Sequence, residues 1–304
     1  MTIRFDGRVA IVTGAGGGLG RQHALALGKR GAKVVVNDFG VARDGSGGSA
    51  SPAEQVADEI RAAGGEAMAA ACSVTDEAGV AAMVDAAKAK WGRVDILVNN
   101  AGVLRDKTFA KMTIEDFRFV IEVHLMGAAI CSKAVWETMR EQNYGRIVMT
   151  TSSSGLYGNF GQSNYAAAKM GLVGLMQTLA IEGAKYDIRV NSLAPTAATR
   201  MTEDLGAGLD LDALRPDLVT PGLLHLVSEN APTRAILAAG AGGFEAAHVT
   251  LTQGIHAAGA DAAEQVAARW DEIQDRDGEI IPEAGSAQGI IEMTKAARAK
   301  AGAQ

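Results

Sequence analysis

Residues 8–20 read RVAIVTGAGGGLG: an apolar run, Val9–Val12, leads through Thr13 into a string of glycines and then into the amphipathic stretch Leu19–Gly31. The run is continuously apolar rather than alternating, as a strand covered on both faces requires. Glycines let a backbone approach a pyrophosphate closely, and the following helix start supplies N–H groups and the positive end of a dipole. The spacing is Gly14-xxx-Gly18-x-Gly20 rather than strict GxGxxG, because residue 19 is leucine. Placed between a first strand and a first helix, it reads as a dinucleotide-binding turn in which Gly14, Gly18, Leu19 and Gly20 contact the cofactor. A merely flexible turn is the competing reading.

The same alternation continues outward. Apolar runs at Arg8–Thr13, Lys33–Asn37, Glu66–Ser73, Asp95–Asn99, Arg146–Thr151, Arg189–Ala194 and Arg234–Ala239 alternate with helical stretches. The helical stretches are Leu19–Gly31, Pro52–Ala63, Asp76–Lys90, Thr113–Asn143, Ser163–Tyr186 and Thr220–Ser228. Repeated β-α-β order predicts an α/β fold: a Rossmann-like, doubly wound parallel sheet of about seven strands flanked by helices. Two segments break the rhythm. Gly40–Ser51 is a small, polar loop insertion, disordered or facing the cofactor as a lid. Beyond about Gly242 the strands are expected to stop, and helical patterns at Asp261–Gln274 and Ser286–Lys300 read as a C-terminal helical extension. Residues 1–244 are thus expected to form the dinucleotide-binding and catalytic domain. Residues 245–304 would pack on the same core or on a partner subunit, since Phe244, Val266, Trp270, Ile273, Ile290 and Ile291 are too apolar for a free tail.

Composition excludes other classes. The 304 residues are 48% hydrophobic and carry a net charge of −6, with no basic block, which disfavours nucleic acid as a partner. The apolar strand runs fall far short of the ~20 residues of a membrane span. Cys72 and Cys131 show no CxxC spacing, which suggests a reduced, cytoplasmic protein. The first strand starts by Arg8 and leaves no room for a signal peptide. The five histidines show no paired ligand spacing, so no metal site is expected.

Chemistry gathers at two further places. Asp38 ends the second strand, where an acidic group can accept hydrogen bonds from ribose hydroxyls and repel a 2′-phosphate, favouring NAD over NADP. A simple turn-starting role is the alternative, and Arg43 could reverse the preference. Of the four tyrosines, only Tyr165 has a lysine four residues on, Lys169, which puts the two on one helical face. A phenol titrates near ~10, and a neighbouring ammonium would lower that value enough for proton exchange with a carbinol oxygen. Ser152, at the end of the fifth strand run, can hydrogen-bond the same oxygen, with Ser153 and Ser154 close enough to confuse the choice.

TGAGGGLG, Asp38, Asn99-Asn100-Ala101-Gly102, Ser152 and Tyr165-xxx-Lys169, in that order, resemble the short-chain dehydrogenases/reductases over roughly residues 5–245. The resemblance implies that Asn100, Ala101 and Gly102 line the cofactor site and steady the sheet. Ser73 and Val74, at the end of the third strand run, join the cofactor set, and Lys169 also holds the nicotinamide ribose together with Tyr165. Pro195 would wall the nicotinamide, with Thr199 near its carboxamide. His124 stands where the family often has the Asn of a proton relay, and is assigned at most a supporting role.

NDFG with its long polar loop, LRDKTFAKM, VHLMG and SSSGLYGNFGQSNYAAAKMGL are similar to a narrower subgroup. It comprises the (3R)-hydroxyacyl-CoA dehydrogenase parts of peroxisomal multifunctional enzymes, the 17β-hydroxysteroid dehydrogenase type 4 proteins, and their bacterial relatives. The implied reaction is NAD-dependent oxidation of a (3R)-hydroxyacyl-CoA in fatty-acid or sterol side-chain breakdown, with a separate hydratase in the same pathway. The alternatives are a 17β-hydroxysteroid dehydrogenase acting on free steroid, an NADPH-dependent 3-ketoacyl carrier protein reductase, and a non-catalytic NAD-binding regulator. Arg105, Lys107 and Lys111 could meet a carrier or a CoA phosphate. A homodimer or homotetramer is expected, because Met126, Ala129, Ile130, Met139, Leu172, Leu175 and Met176 offer more apolar surface than one sheet face buries.

Overall fold

In the computed structural model, which describes residues 2–42, 44–198 and 213–302, the chain runs as follows. It begins β1 (Val9–Thr13), α1 (Gly18–Lys29), β2 (Lys33–Asn37), α2 (Ser51–Ala62), β3 (Glu66–Ala70), α3 (Glu77–Trp91) and β4 (Ile96–Asn99). Next come α4 (Ile114–Ile121), a π turn (Glu122–Met126), α5 (Gly127–Gln142), β5 (Gly145–Thr150), α6 (Ser153–Tyr157), α7 (Ser163–Gly183) and β6 (Ile188–Thr196). The described part of the catalytic unit closes with α8 (Thr220–Leu226), β7 (Ile236–Gly240) and β8 (Gly243–Ala247). The sheet order is β3-β2-β1-β4-β5-β6-β7-β8, parallel throughout except for β8. All five residues of β1 are buried because helices cover both faces of the sheet. Ala24 and Leu27 of α1, Val56 and Ile60 of α2 and Leu223 of α8 join one core layer. Val80 and Val84 of α3, Val135 and Met139 of α5, and Leu172 and Met176 of α7 join the other. The strand order reverses between β1 and β4, and such switch points open a crevice at the strands' carboxyl ends.

The structure corrects two expectations. The strands do not stop near Gly242: an eighth, β8, pairs antiparallel with β7, so the sheet has one strand more than the seven expected. Its turn places Ala241 at φ 49° and Gly242 at φ 80°, the two left-handed central positions of a tight hairpin. Glu245 breaks up the apolar run that would have marked the strand. Phe244 therefore belongs to the sheet and lies against the Gly222 position of α8. The helix expected over 113–143 is interrupted by the π turn, in which His124 is buried. It starts as expected, with the Thr113 hydroxyl capping Asp116 N–H and acidic residues in the first turn. Finally, the helical run Ile114–Gln142 is long and apolar enough by composition to cross a membrane. Cys131, Val135 and Met139 of this run are instead buried in the core layer against the sheet, and Val120 is buried with Val103 and Ala168.

The chain divides into two compact units, Met1–Ala247 and His248–Gln304. Within the second, Leu251 and Ile280 form a reciprocal backbone bridge. Helices α9 (Ala262–Ala268), α10 (Trp270–Gln274) and α11 (Gly285–Gly302) carry exposed apolar side chains, among them Trp270, Ile290 and Met293.

Candidate active site

The ends of β1, β2 and β4 surround a cavity of about 310 Å³. Gly14, Gly18, Leu19, Asp38, Ser73, Val74, Asn100, Ala101 and Gly102, all expected at a cofactor, line it. Gly14 has φ +63°, and a Cβ there would fall 2.7 Å from Ala101 Cα, so only glycine fits. Gly20 does not line the cavity. It is needed because a Cβ would strike the Gly14 carbonyl and the Asn100 amide. No side chain caps α1, and Gly17, Gly18 and Leu19 at its start all border the cavity, leaving orphan N–H groups for an anion. Asn100 knits the turn in place, its Nδ2 donating to the carbonyls of Thr13 and Gly14 at 3.0 and 3.1 Å. Thr13 Oγ1 in turn accepts from the N–H groups of Asn100 and Ala101 at 3.0 and 3.1 Å.

Asp38 is fixed by two backbone donors: Gly16 N–H to Oδ2 at 2.8 Å and Gly40 N–H to Oδ1 at 2.6 Å. The turn-starting role is therefore real. Each carboxylate oxygen still has a lone pair free for a hydroxyl. A narrow glycine-lined cradle, an uncapped helix start and an acidic group in one cavity fit a dinucleotide. Arg43 and Thr199 lie outside the described residues.

The polar residues cluster next to this cavity. Ser152 lies beside the Tyr165 phenol and favours its ionised form. Ser152 caps α6, its Oγ accepting from Ser154 N–H at 3.2 Å. Ser154 turns to Gln162 instead, at 2.8 Å, and Ser153 is exposed, so Ser152 alone of the three meets the tyrosine. Lys169 is buried, donates from Nζ to the Thr150 carbonyl at 2.6 Å, and lies 5.4 Å from the centroid of the Tyr165 ring. Burial lowers its pKa to about 7. Burial likewise raises the Tyr165 phenol to about 12, although Ser152 works against this. The ammonium was expected to lower the phenol. In the chain alone desolvation wins, because Nζ is turned to the Thr150 carbonyl.

His124 stands edge-on to Tyr165, ring centroids 5.2 Å apart. Its Nε2 meets the Val103 carbonyl at 2.8 Å and the Val103 N–H at 3.1 Å. Burial, with the Lys169 charge second, pushes its pKa well below the ordinary value, so the ring is a neutral neighbour of the tyrosine. A Cβ at residue 102 would collide with this ring, which explains the glycine there. Pro195 is half-buried near the end of β6, in register with Ala239, and lines neither cavity. A second, small cavity contains Lys169, His124 and Asn99 and shares Val74, Ala101 and Val123 with the large one. Lys169 thus lines a cavity that adjoins the glycine-lined one through these three residues. Among the described residues, no group of three or more His, Cys, Asp or Glu side chains could hold a metal ion.

Val41, Ala42 and Gly45 line the large cavity, so the 40–51 loop faces it, one of the two roles expected of it. Phe39, Cys72, Thr75 and Phe119, which no motif marked, also line it. Nor did a motif mark Asn164, fully buried beside Tyr165, or Gln162, which is held by Asp106 at 2.7 Å. Arg105 and Lys107, considered for a carrier or CoA phosphate, both pair with Asp116, at 3.2 and 2.9 Å.

The short chain dehydrogenase family model matches residues 8–210. The Mycobacterium tuberculosis protein Rv0148, of short-chain dehydrogenase/reductase type, is 48% identical over 275 residues, covering 90% of this chain and 96% of that protein. The Drosophila melanogaster peroxisomal multifunctional enzyme type 2 is 53% identical over 228 residues, 75% of this chain and 38% of the relative. The solved full-length structure of that enzyme superposes with a TM-score of 0.78 at 38% identity, covering 96% of this chain and 51% of the other. The chain thus spans about half, or less, of the multifunctional enzyme it matches. A 7α-hydroxysteroid dehydrogenase solved with NADH and 7-oxo glycochenodeoxycholic acid gives a TM-score of 0.69 at 32% identity, covering 79% and 95% of the two chains.

Proposed function

The chain belongs to the short-chain dehydrogenase family and is an oxidoreductase acting on CH–OH groups, and from that premise we propose that it oxidises a (3R)-hydroxyacyl-CoA to the ketone with NAD. One observation carries the reading: Ser152, Tyr165 and buried Lys169 stand together, and Lys169 lines a small cavity that shares Val74, Ala101 and Val123 with the glycine-lined one. The glycine turn would hold the pyrophosphate, Asp38 the adenosine ribose, and Lys169 with Tyr165 the nicotinamide ribose. Ser73, Val74, Asn100, Ala101 and Gly102 would line the cofactor's path, with Pro195 and Thr199 toward the nicotinamide. A bound nicotinamide supplies the acceptor for the carbinol hydride. Ser152 holds the substrate oxygen, Tyr165 takes its proton, and the Lys169 ammonium stabilises the phenolate. His124 supports the tyrosine ring from its edge.

The acyl-CoA assignment is supported by identity to the multifunctional enzyme over three quarters of this chain. Free steroid is the second reading, favoured by the steroid held in the 7α-hydroxysteroid dehydrogenase neighbour. Detection of ketone product from NAD with matched panels of 3-hydroxyacyl-CoA, 3-hydroxyacyl carrier protein and free hydroxysteroid separates them. Product from the CoA thioesters supports the proposal, and product from free steroid alone overturns it. The pairing of Arg105 and Lys107 with Asp116 leaves less free charge for a carrier protein. A hydratase acting before this enzyme would supply its substrate, and the two free cysteines support a reducing compartment such as the cytoplasm.

Asp38 should set cofactor choice. A 2′-phosphate would lie against a carboxylate, so NADP is expected to bind at least about tenfold more weakly than NAD, ~1.4 kcal/mol. Asp38→Ala should narrow that gap in direct binding titrations. Equal affinity of the unaltered enzyme for the two cofactors would exclude this role.

Assembly follows from what remains exposed on α5 and α7. Met139, Leu172 and Met176, expected at an interface, are buried in the chain's own core. Met126, Met170 and Ile181 remain exposed on that helical layer and support a homodimer or homotetramer. Sedimentation equilibrium should show a dimer or tetramer; a concentration-independent monomer would refute it.

Among the described residues, those lining the large cavity all precede Ala247. Truncation after Ala247 should therefore leave NAD binding within about twofold, a change of less than ~0.5 kcal/mol. We expect it to raise the KM for a bulky acyl substrate, as the resemblance to the multifunctional-enzyme subgroup implies. Unchanged KM with a lowered Tm would reduce the extension to a stabilising cover.

A further inference from the structure

One wall of the large cavity is made by a loop. Ala42 and Gly45, from the stretch between β2 and α2, line it opposite Phe119 of α4. Gly45 has φ +89°, and a Cβ there would fall 2.5 Å from Phe119 Cζ, so backbone lies directly on the ring. Arg105 holds this contact from outside. Its guanidinium carbon stands 3.9 Å from the Phe119 centroid, Nε donates to the Asp44 carbonyl at 3.2 Å, and Nη1 donates to Asp116 Oδ1 at 3.2 Å. Its own carbonyl accepts from Asn164 Nδ2 at 3.1 Å, and Asn164 adjoins Tyr165. A single residue therefore ties the loop wall, α4 and the helix that carries Tyr165 and Lys169.

Resting on the reading of this cavity as the dinucleotide site, we propose that Arg105 is a positioning residue for the cofactor: it clamps the Asp44–Gly45 wall onto Phe119. The planar guanidinium suits the task because one face stacks on the ring while its N–H groups reach a carbonyl and a carboxylate at once. The clamp must open, or its wall shift, when a dinucleotide leaves.

The test uses the full chain and NADH as the probe. Stopped-flow displacement of bound NADH should be about tenfold faster in Arg105→Ala, equivalent to ~1.4 kcal/mol. Arg105→Lys keeps the charge over the ring but cannot reach both oxygens, and should fall between. Amide hydrogen exchange measured without NADH should be faster in the peptide spanning 39–51 in Arg105→Ala, which reads the clamp independently of cofactor. Displacement at the unaltered rate in Arg105→Ala, or unchanged exchange in that peptide, overturns the clamp while leaving the dinucleotide reading intact. An unaltered protein that binds no NADH overturns both. A general loss of packing would give Arg105→Lys no rescue, and that result also counts against the proposal.

Discussion

Tyr165→Phe is expected to lower turnover by about 10²–10⁴, the scale of a lost acid–base group, while NADH binding is retained. The substitution removes one hydroxyl and keeps the ring that His124 meets edge-on at 5.2 Å. The hydroxyl is one of many groups proposed to hold the dinucleotide, most of which line the large cavity, so affinity should change little. The loss falls on the hydroxyl that lies beside Ser152 and that the proposed mechanism has take the substrate proton. Turnover within a few-fold of the unaltered enzyme, measured beside normal NADH fluorescence titration, would remove Tyr165 from the reaction.

Lys169→Ala should have an effect of similar size at neutral pH and change the pH profile as well. On the proposed mechanism Lys169 and Tyr165 act as a pair, with Lys169 at about 7 and Tyr165 at about 12. Fully protonated, the pair can donate to a ketone but cannot accept from an alcohol. The first proton leaves near pH 7, and the resulting one-proton form includes the arrangement of phenolate beside ammonium. Alcohol oxidation should therefore rise as pH passes about 7 and then level off, whereas ketone reduction should fall over the same range. Without the lysine, the phenol must lose its proton unaided. Oxidation in Lys169→Ala should drop by about 10²–10⁴ at neutral pH and keep climbing into alkaline solution. NAD binding should weaken too if the lysine also holds a ribose. A variant that keeps the neutral inflection would show that Lys169 does not set it.

The parallel sheet was legible because its strands are continuous apolar runs. β8 was not: Glu245 and three small residues make no such run, and its signal is a two-residue turn of Ala241 and Gly242. The π turn was hidden for another reason. Glu122–Met126 keeps helical composition, and only packing against Val103 and Tyr165 reveals where His124 points. Local motifs located the glycine turn, Asp38 and the Tyr–Lys pair. They could not separate Ser152 from Ser153 and Ser154, because that choice depends on a tyrosine one helix away and on Gln162. Nor could they show the Gly45–Phe119 wall or the Arg105 contact, which join segments remote in sequence. The pKa directions also required structure: burial, not the neighbouring ammonium, dominates the phenol.

The central claim is that this pair removes hydrogen from a (3R)-hydroxyacyl-CoA with NAD as acceptor. Its most direct test is the initial rate of NADH formation from NAD with (3R)- and (3S)-hydroxyacyl-CoA of the same chain length. The account predicts NADH from the (3R) thioester with kcat/KM at least about tenfold above the (3S) form, ~1.4 kcal/mol of discrimination. Equal rates for the two, or NADH from the (3S) thioester alone, would contradict it.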